Sequence, residues 1–414
     1  MADIQPFRAL HYDLDRVGGL QAVAAPPYDV IDADQRAALL SRSPHNVVEI
    51  DLPVAEGDPY EHAAEVFAAW RRDGILVRDD EPALWALEQD YTGPDGRRRT
   101  RHGFFARVKV EDYGPGRIRP HERTHPGPKE DRLRLTRATE ANLSPIFSLY
   151  DDPAGAAWGA LAPHLAGEPW AEVTDEDGTT HRLWRVADPG ATAAVRDALR
   201  DAELLIADGH HRYETARVHH AEGGAGHVLM CLVALQDPGL TVFPTHRLLT
   251  GLDDGRREAL RDTLARDFES AETTVDGLEP TGDGPVRMGY LDTYHRRPLM
   301  LTLRDPAIAD AALPDKPEPY RRLDTAVLEA LVLEGALGMS EDDISHLNGL
   351  DYARDTAQAR ERVESGAADA AFFMRSTPVS QVRDVAATGK SMPPKSTYFF
   401  PKVLTGMVFN PLDD

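Results

Sequence analysis

Hydrophobic residues along the chain switch between the runs typical of strands and the spacing typical of helices. Residues 84–110 form two apolar segments around a Gly-Pro-Asp-Gly turn, which predicts a β-hairpin. Residues 60–73 and 323–337 carry apolar side chains three or four positions apart, which predicts amphipathic helices. Because both kinds of segment alternate over the whole length, we predict a mixed α/β (α+β) chain with several layers.

One stretch in the middle of the chain combines a strand, a tight turn and the start of a helix. Residues 204–206 predict a buried strand, Gly209 suits a positive φ, and helical spacing resumes at Tyr213. Since a helix N-terminus offers unpaired N–H groups and positive partial charge, we predict a phosphate site at this turn. An ordinary polar surface is the alternative, and the lack of a nearby H-x-x-x-H or C-x-x-C pattern disfavours a closed zinc site. The polar side chains of the turn are Asp208, His210, His211 and Arg212.

A second polar cluster occupies residues 119–132, which hold cations, carboxylates and histidines but no apolar side chain other than proline. Prolines at positions 120, 126 and 128 predict an irregular loop up to about Lys129, followed by a helix. Such a loop forms either a salt-bridge network in solvent or the wall of a polar site, and we favour the polar site. We expect the two clusters to face one cavity. The candidate side chains of the loop are His121, Glu122, Arg123, Lys129 and Arg132.

Five further segments give weaker indications. Residues 97–101 carry four arginines, which predict an exposed arm of the hairpin. Residues 25–29 form a proline-stiffened loop that either lines a pocket or only stiffens a chain crossing. Residues 227–236 and 241–249 predict two adjacent strands. The tail has the ingredients of a phosphate clamp, or only packs the C-terminus, and its candidate residues are Lys395, Ser396 and Thr397.

Composition limits the partners and the compartment. The 414 residues, 42% of them hydrophobic, carry a formal net charge of −23, which disfavours nucleic acid and anionic membranes as partners. The one cysteine, Cys231, excludes an intrachain disulfide and is expected in the core. With neither a leader nor an apolar run of about 20 residues, the chain is expected to be cytoplasmic. Three regions are predicted, at residues 1–150, 151–313 and 314–414.

Five strings between Ile4 and Leu412 resemble the bacterial domain-of-unknown-function 1015 family. They are IQPFRAL, APPYDVI, PHERTHPGPKEDRL, ADGHHRYETA and MPPKSTYFFPKVLTGMVFNPL. The DGHHR element by itself also resembles the phosphate-binding motif of the ParB/sulfiredoxin superfamily, whose members include free serine kinase. That second resemblance implies a ParB/sulfiredoxin-like phosphate-binding unit embedded in the larger chain.

Phosphoryl transfer needs the mixture of side chains found in the two clusters, namely cations around the phosphoryl group and a carboxylate base. The resemblance implies a small-molecule phosphotransferase with ATP or ADP as donor and serine or a similar hydroxyl metabolite as acceptor. In this hypothesis His210, His211 and Arg212 hold the phosphate. Asp208 orients them or binds Mg²⁺, and Glu122 is the base. The remaining cations of the loop would bind the anionic groups of the donor or the acceptor. They are Arg123, Lys129 and Arg132.

Two alternatives use the same anion site. One is a phosphatase acting on phosphoserine or a similar monoester, with His210 or His211 as nucleophile or acid. The other is a non-catalytic regulator that binds a nucleotide.

Overall fold

The computed structural model describes residues 2–93, 96–122, 126–282 and 284–413. The chain forms two compact units, the first from Met1–Thr241 with Phe399–Asp414 and the second from Val242–Tyr398. This division differs from the three regions predicted at 1–150, 151–313 and 314–414. Strands from both sides of residue 150 pair in one sheet, and the last residues of the chain return to the first unit.

Strands occur throughout the described chain. In the first unit they are β1 (Ile4–Gln5), β2 (Leu10–Tyr12), β3 (Leu76–Arg78), β4 (Leu84–Thr92), β5 (Arg98–Lys109), β6 (Ile118–Arg119), β7 (Ala141–Asn142), β8 (Ile146–Tyr150), β9 (Ala171–Thr174), β10 (Thr180–Val186), β11 (Leu204–Asp208) and β12 (His227–Ala234). Those that follow are β13 (Thr241–Phe243), β14 (His246–Leu249), β15 (Phe268–Glu272), β16 (Arg287–Asp292), β17 (Leu299–Leu303), β18 (Leu350–Ala353), β19 (Ala370–Phe373), β20 (Tyr398–Phe400) and β21 (Asn410–Pro411).

Helices connect these strands. In the first unit they are α1 (Leu14–Val17), α2 (Leu20–Val23), α3 (Ala33–Arg42), α4 (Val48–Asp51), α5 (Pro59–Arg72), α6 (Pro126–Thr139), α7 (Ala156–Leu161), α8 (Pro189–Ala198) and α9 (His210–Ala221), with 3-10 turns at Tyr28–Val30 and Ala162–His164. In the second unit they are α10 (Asp254–Asp267), α11 (Pro306–Ala312), α12 (Glu318–Arg321), α13 (Asp324–Leu328), α14 (Glu341–Ser345), α15 (Thr356–Glu364) and α16 (Val379–Ala387), with a 3-10 turn at Val275–Gly277 and a π-helix at Glu329–Ala336.

The main sheet of the first unit has the strand order β6-β11-β8-β12-β5-β4-β10-β9, with β1 paired to β5. The predicted hairpin is confirmed, because β4 and β5 pair antiparallel with Trp85 opposite Phe105. Strand β11 pairs parallel with β6 and antiparallel with β8. Since parallel strands end at the same edge, the chain leaving β6 and the chain leaving β11 emerge side by side. This pairing places His121, which follows β6, next to His210, which follows β11.

The sheet of the second unit has the order β15-β17-β16-β19-β14-β18, and its neighbouring strands are antiparallel. The prediction that residues 227–236 and 241–249 form adjacent strands is wrong, because β12 and β14 belong to different sheets. Both edges of β12 are already occupied, one by β5 and the other by β8, so no edge is left for a hairpin partner. The mixed α/β class is confirmed in both units.

Each unit has its own apolar core. In the first unit Phe104, Ile206 and Met230 from neighbouring strands pack with Tyr213 of α9 in one fully buried cluster. Cys231 is also fully buried, as predicted, and burial raises the pKa of its thiol to about 12. None of the helices in the described part of the chain has the length and apolar character to cross a membrane.

Helix α6 begins at Pro126, earlier than the predicted start near Lys129. Proline lacks only an N–H group that is unpaired in the first turn of any helix, so prolines at positions 126 and 128 are compatible with that turn. The predicted helix at residues 323–337 forms as α13 and continues into the π-helix.

Candidate functional site

The predicted strand, turn and helix are all present at the centre of the first unit. Strand β11 ends at Asp208, Gly209 has a φ of 92°, and α9 begins at His210. Gly209 is the N-cap and makes no side-chain capping bond, so no side chain competes there for the first N–H groups of α9. A Cβ atom at this position would lie 3.0 Å from Nε of Arg212, so both the backbone and the packing favour glycine.

Two cations share the carboxylate of Asp208. Lys402 Nζ donates to Oδ1 at 2.6 Å, and Arg212 Nη2 donates to Oδ2 at 2.6 Å. These side chains are largely buried, with exposed fractions of 15% for Asp208, 16% for Lys402 and 10% for Arg212. Burial alone would raise the pKa of Asp208, but the attraction of Lys402 and Arg212 outweighs it and holds that pKa well below its usual range. Asp208 is therefore a carboxylate that orients two cations.

The tail contributes to this site Lys402, which is not among the residues predicted from the sequence. The Lys-Ser-Thr string instead indicated Lys395, Ser396 and Thr397. The only available signal for Lys402 was its place in the same family-resembling string, as a second lysine after a proline. In the structure the carbonyl of Lys402 accepts a hydrogen bond from Gln89 Nε2 at 3.0 Å, which holds its backbone against β4.

Two of the three guanidinium nitrogens of Arg212 are hydrogen-bonded. Its Nη1 donates to the carbonyl of Pro145, while Nη2 is bonded to Asp208. The remaining Nε is buried and has no hydrogen-bond partner among the residues that the structure describes. An unpaired buried guanidinium N–H costs free energy, and a bound anion would remove that cost.

Two buried histidines meet beside this carboxylate. His121 lies just after β6, and its backbone N–H donates to Nε2 of His210 at 3.3 Å. The two rings meet edge to face at 74°, with centroids 4.7 Å apart. Nδ1 of His121 lies 2.6 Å from the carbonyl of Ile206 and therefore carries the hydrogen of that bond. Burial lowers the pKa of both imidazoles, so both rings are neutral near pH 7.

Arg132 is fully occupied by its own contacts. Its Nη1 donates to the Asp51 carbonyl at 2.8 Å and to Asp51 Oδ1 at 3.1 Å, and its Nε donates to Asp131 Oδ2 at 2.7 Å. Asp51 also accepts from Ser144 Oγ at 3.3 Å. Burial raises the pKa of Asp51 against the attraction of Arg132. This pair is a buried structural salt bridge, and Arg132 shares with Arg212 the lining of a narrow cavity of about 40 Å³.

Arg101 is a second unpredicted cation. The prediction of an exposed arginine arm is correct for Arg97 and Arg98 but wrong for Arg101, which is fully buried. Its Nε donates to Gln89 Oε1 at 2.9 Å, and its guanidinium carbon lies 4.5 Å from the Phe147 ring centroid. Within the described residues Arg101 has no carboxylate partner and its Nη1 has no partner at all. Burial lowers its pKa to about 10, so it stays charged at neutral pH.

Cations outnumber carboxylates at Asp208 itself. Lys402 and Arg212 face its single carboxylate. Arg132 is balanced by Asp51 and Asp131 and adds no positive charge to this excess. The chain as a whole has a net charge of −23, so this interior excess is a local basic site of the kind that an anion requires.

The other residues predicted for the site differ in how buried they are and in which unit they belong to. Glu122 and His211 are half-buried, and no hydrogen bond or ion pair joins the Glu122 carboxylate to the residues that the structure describes. Lys129 is half-buried in α6, and Arg123 lies outside the described residues. The tail residues belong to the second unit: Lys395 is exposed, Thr397 is half-buried, and Ser396 is buried with its hydroxyl bonded to Thr325.

The residues around Asp208 do not fit a magnesium site. Magnesium prefers several oxygen ligands in an octahedral arrangement. Both oxygens of Asp208 are already bonded to cations, and the described residues contain no group of three or more histidine, cysteine or acidic side chains suited to a metal. Asp208 therefore orients Arg212, one of the three side chains named for it, together with Lys402, which was not predicted.

A family model described as a protein of unknown function, DUF1015, matches residues 4–326. The chain belongs to the DUF1015 family. The model covers all the strings that carried the resemblance except the C-terminal one, and the extension of the match to Leu412 stays a prediction. No curated protein matches this DUF1015 chain.

Several solved structures are similar to the DUF1015 chain at low identity. A conserved hypothetical protein from Pyrococcus furiosus is 14% identical with a TM-score of 0.35, covering 68% of this chain and 86% of that chain. A free serine kinase in complex with AMP is 15% identical with a TM-score of 0.36, covering 68% and 83%. SbnI with a C-terminal truncation, from Staphylococcus aureus, is 13% identical with a TM-score of 0.38, covering 75% and 90%.

Proposed function

We propose that the first unit is a phosphotransferase that moves a phosphoryl group from ATP or ADP to a hydroxyl of a small metabolite such as serine. The observation that supports this proposal is the shared carboxylate of Asp208, which holds Lys402 and Arg212 together at the N-terminus of α9. Two oriented cations with a helix N-terminus suit the several oxygens of a phosphoryl group better than a single negative charge.

Each part of the site has a task in this reaction. Lys402, Arg212 and the first N–H groups of α9 stabilise the charge on the transferred phosphoryl group. The neutral rings of His121 and His210 lie beside these groups without adding further positive charge. The bond between the phosphorus and the leaving oxygen of the donor breaks, and a bond from phosphorus to the acceptor oxygen forms.

Glu122 is the candidate for the general base. It follows His121 directly, is half-buried, and its carboxylate is not tied to another described residue. A carboxylate in this position is available to take the proton of the acceptor hydroxyl as the new phosphate ester bond forms. Asp208 and Asp131 are poorer candidates, because cations or a tyrosine hydroxyl already occupy them.

The phosphatase alternative relies on a histidine nucleophile or acid. His210 Nε2 accepts a hydrogen bond from the His121 backbone, and burial lowers the pKa of its ring. A neutral imidazole whose Nε2 is hydrogen-bonded to the backbone is neither a good acid nor an accessible nucleophile at that nitrogen. The arrangement of His210 therefore favours the transferase hypothesis over the phosphatase hypothesis.

A ³¹P NMR time course separates the three hypotheses. The purified protein is incubated with magnesium and ATP or ADP plus serine, and separately with phosphoserine alone. A transferase forms a phosphate ester only when both donor and acceptor are present. A phosphatase releases inorganic phosphate from phosphoserine, and a regulator shifts or broadens the nucleotide resonances without turnover. Absence of any change in all samples would contradict the proposal.

Replacing Arg212 by alanine is expected to weaken the binding of ADP by about 1.5 to 3 kcal/mol, the value of charge-assisted hydrogen bonds. The fold should persist because Lys402 still neutralises Asp208. Isothermal titration calorimetry measures the affinity. Arg217→Ala is the matched control on the same helix, since Arg217 pairs with Asp112 at the surface. Equal affinities of Arg212→Ala and the wild type would assign Arg212 to structure alone.

A further inference from the structure

The side chain of Tyr28 lies beside the candidate site. It begins the 3-10 turn Tyr28–Val30 directly after Pro26 and Pro27, and it is half-buried. The guanidinium carbon of Arg132 lies 4.1 Å from the centroid of the Tyr28 ring. The ring therefore packs against a cation that also lines the cavity next to Arg212.

The position of Tyr28 is well supported. Arg132 is held by Asp51 and Asp131, so the surface against which the ring packs has little freedom. The loop itself is bonded to the segment after Lys402: Ala25 N–H donates to the Thr405 carbonyl at 3.1 Å, and Thr405 N–H donates to the Ala25 carbonyl at 2.9 Å. The same contact therefore fixes the loop of Tyr28 and the segment that carries Lys402.

The hydroxyl of Tyr28 has no hydrogen-bond partner in the described part of the chain. Burial raises the pKa of Tyr28 to about 12, although the nearby charges of Arg212 and Arg132 act in the opposite direction. The phenol therefore keeps its proton at neutral pH. Because the ring lies against the guanidinium of Arg132, this protonated hydroxyl is a hydrogen-bond donor available to an anion bound near that cation.

We propose that Tyr28 is a ligand-contacting residue of this site, and that its hydroxyl donates a hydrogen bond to an oxygen of a phosphate group bound by Arg212. The proposal rests on the proposed phosphate site and adds to it the loop at residues 25–29. A phosphate group suits this donor because it offers oxygens in several directions. Lys402 and Arg212 would bind some of them while Tyr28 binds another.

Tyr28→Phe tests this contact with a closely matched control. The substitution removes only the hydroxyl and keeps the ring against Arg132, so the melting temperature should not change. Tyr60→Phe is the control, because the Tyr60 ring packs in the same way against Arg134, at 4.2 Å, while its hydroxyl donates to Asp131 at 2.8 Å. Inorganic phosphate is the probe, titrated calorimetrically into the full-length wild type and each variant, with thermal unfolding recorded in parallel.

The expected result is a Kd for phosphate about tenfold higher in Tyr28→Phe and unchanged in Tyr60→Phe, as the loss of one hydrogen bond to a charged group requires. Phosphate binding by the wild type with an unaltered Kd in Tyr28→Phe would overturn the role of Tyr28 and leave the phosphate site standing. An equal loss in both variants, or a lower melting temperature with an unchanged Kd, would also overturn it. No phosphate binding by the wild type would overturn both proposals.

Discussion

Asparagine in place of Asp208 is expected to lower the free energy of unfolding by about 3 to 5 kcal/mol, the usual cost of removing one partner from a buried ion pair. The substitution keeps the size of the side chain but leaves Lys402 and Arg212 without their common counter-charge. Urea or guanidinium unfolding, followed by circular dichroism, measures the change.

A surface pair provides the control for this experiment. Asp112 pairs with Arg217 at 2.7 Å but is 79% exposed. Asp112→Asn is therefore expected to cost less than about 1 kcal/mol. If Asp208→Asn were as mild as Asp112→Asn, the buried carboxylate would not hold the two cations in solution.

The cost of Asp208→Asn should also depend on pH. The pKa of Asp208 in the folded protein lies well below that of an unfolded aspartate, which is about 3.9. The contribution of its charge is therefore fully present above about pH 4 and is lost as the pH falls below that value. The difference in stability between wild type and variant should shrink as the pH falls below about 4. A difference that stays constant down to pH 2 would contradict the depressed pKa.

Glutamine in place of Glu122 is expected to reduce turnover by about 10² to 10⁴ with little change in ligand affinity. The amide keeps the shape of the side chain and most of its hydrogen-bonding capacity, but it does not accept the proton of the acceptor hydroxyl. Since no hydrogen bond or ion pair joins Glu122 to the described residues, the melting temperature should stay the same. The rate of phosphate ester formation in the ³¹P assay, with affinity from calorimetry, measures both quantities.

Glu130→Gln is the matched control, because Glu130 is an exposed glutamate near the start of α6. It should leave turnover unchanged. If Glu130→Gln lost activity and Glu122→Gln did not, the base would be Glu130. A loss of melting temperature in Glu122→Gln with an unaltered rate per folded molecule would give Glu122 a structural role. Arg119 is not the partner expected in that case, because its Nε is bonded to Glu203 at 3.0 Å.

The predictions that succeeded depend on local sequence. The strand at β11, the glycine with positive φ and the helix after it follow from side-chain spacing and from the conformational range of glycine, both of which act within a few residues. The β4–β5 hairpin follows in the same way from its turn. The start of α6 was misplaced because the prolines were treated as breakers, although the first turn of a helix accepts them.

The predictions that failed depend on contacts between distant parts of the chain. Arg101 belongs to an arginine-rich run that is typical of an exposed arm, yet it is fully buried between Gln89 of β4 and the Phe147 ring of β8. Lys402 stands next to no other candidate residue in the sequence. It reaches Asp208, 194 positions away, only because the last segment of the chain returns to the first unit.

By itself, the sequence determined the local chemistry of this protein: a turn with an acid, two histidines and an arginine at a helix start, and a loop rich in charge. The tertiary structure alone decided which of those side chains act together. The parallel pairing of β6 with β11 brings His121 to His210, and the returning tail brings Lys402 to Asp208. Whether a charged residue becomes a buried ion pair or a solvated surface group depends on which strands cover it, and spacing along the chain carries no information about those strands.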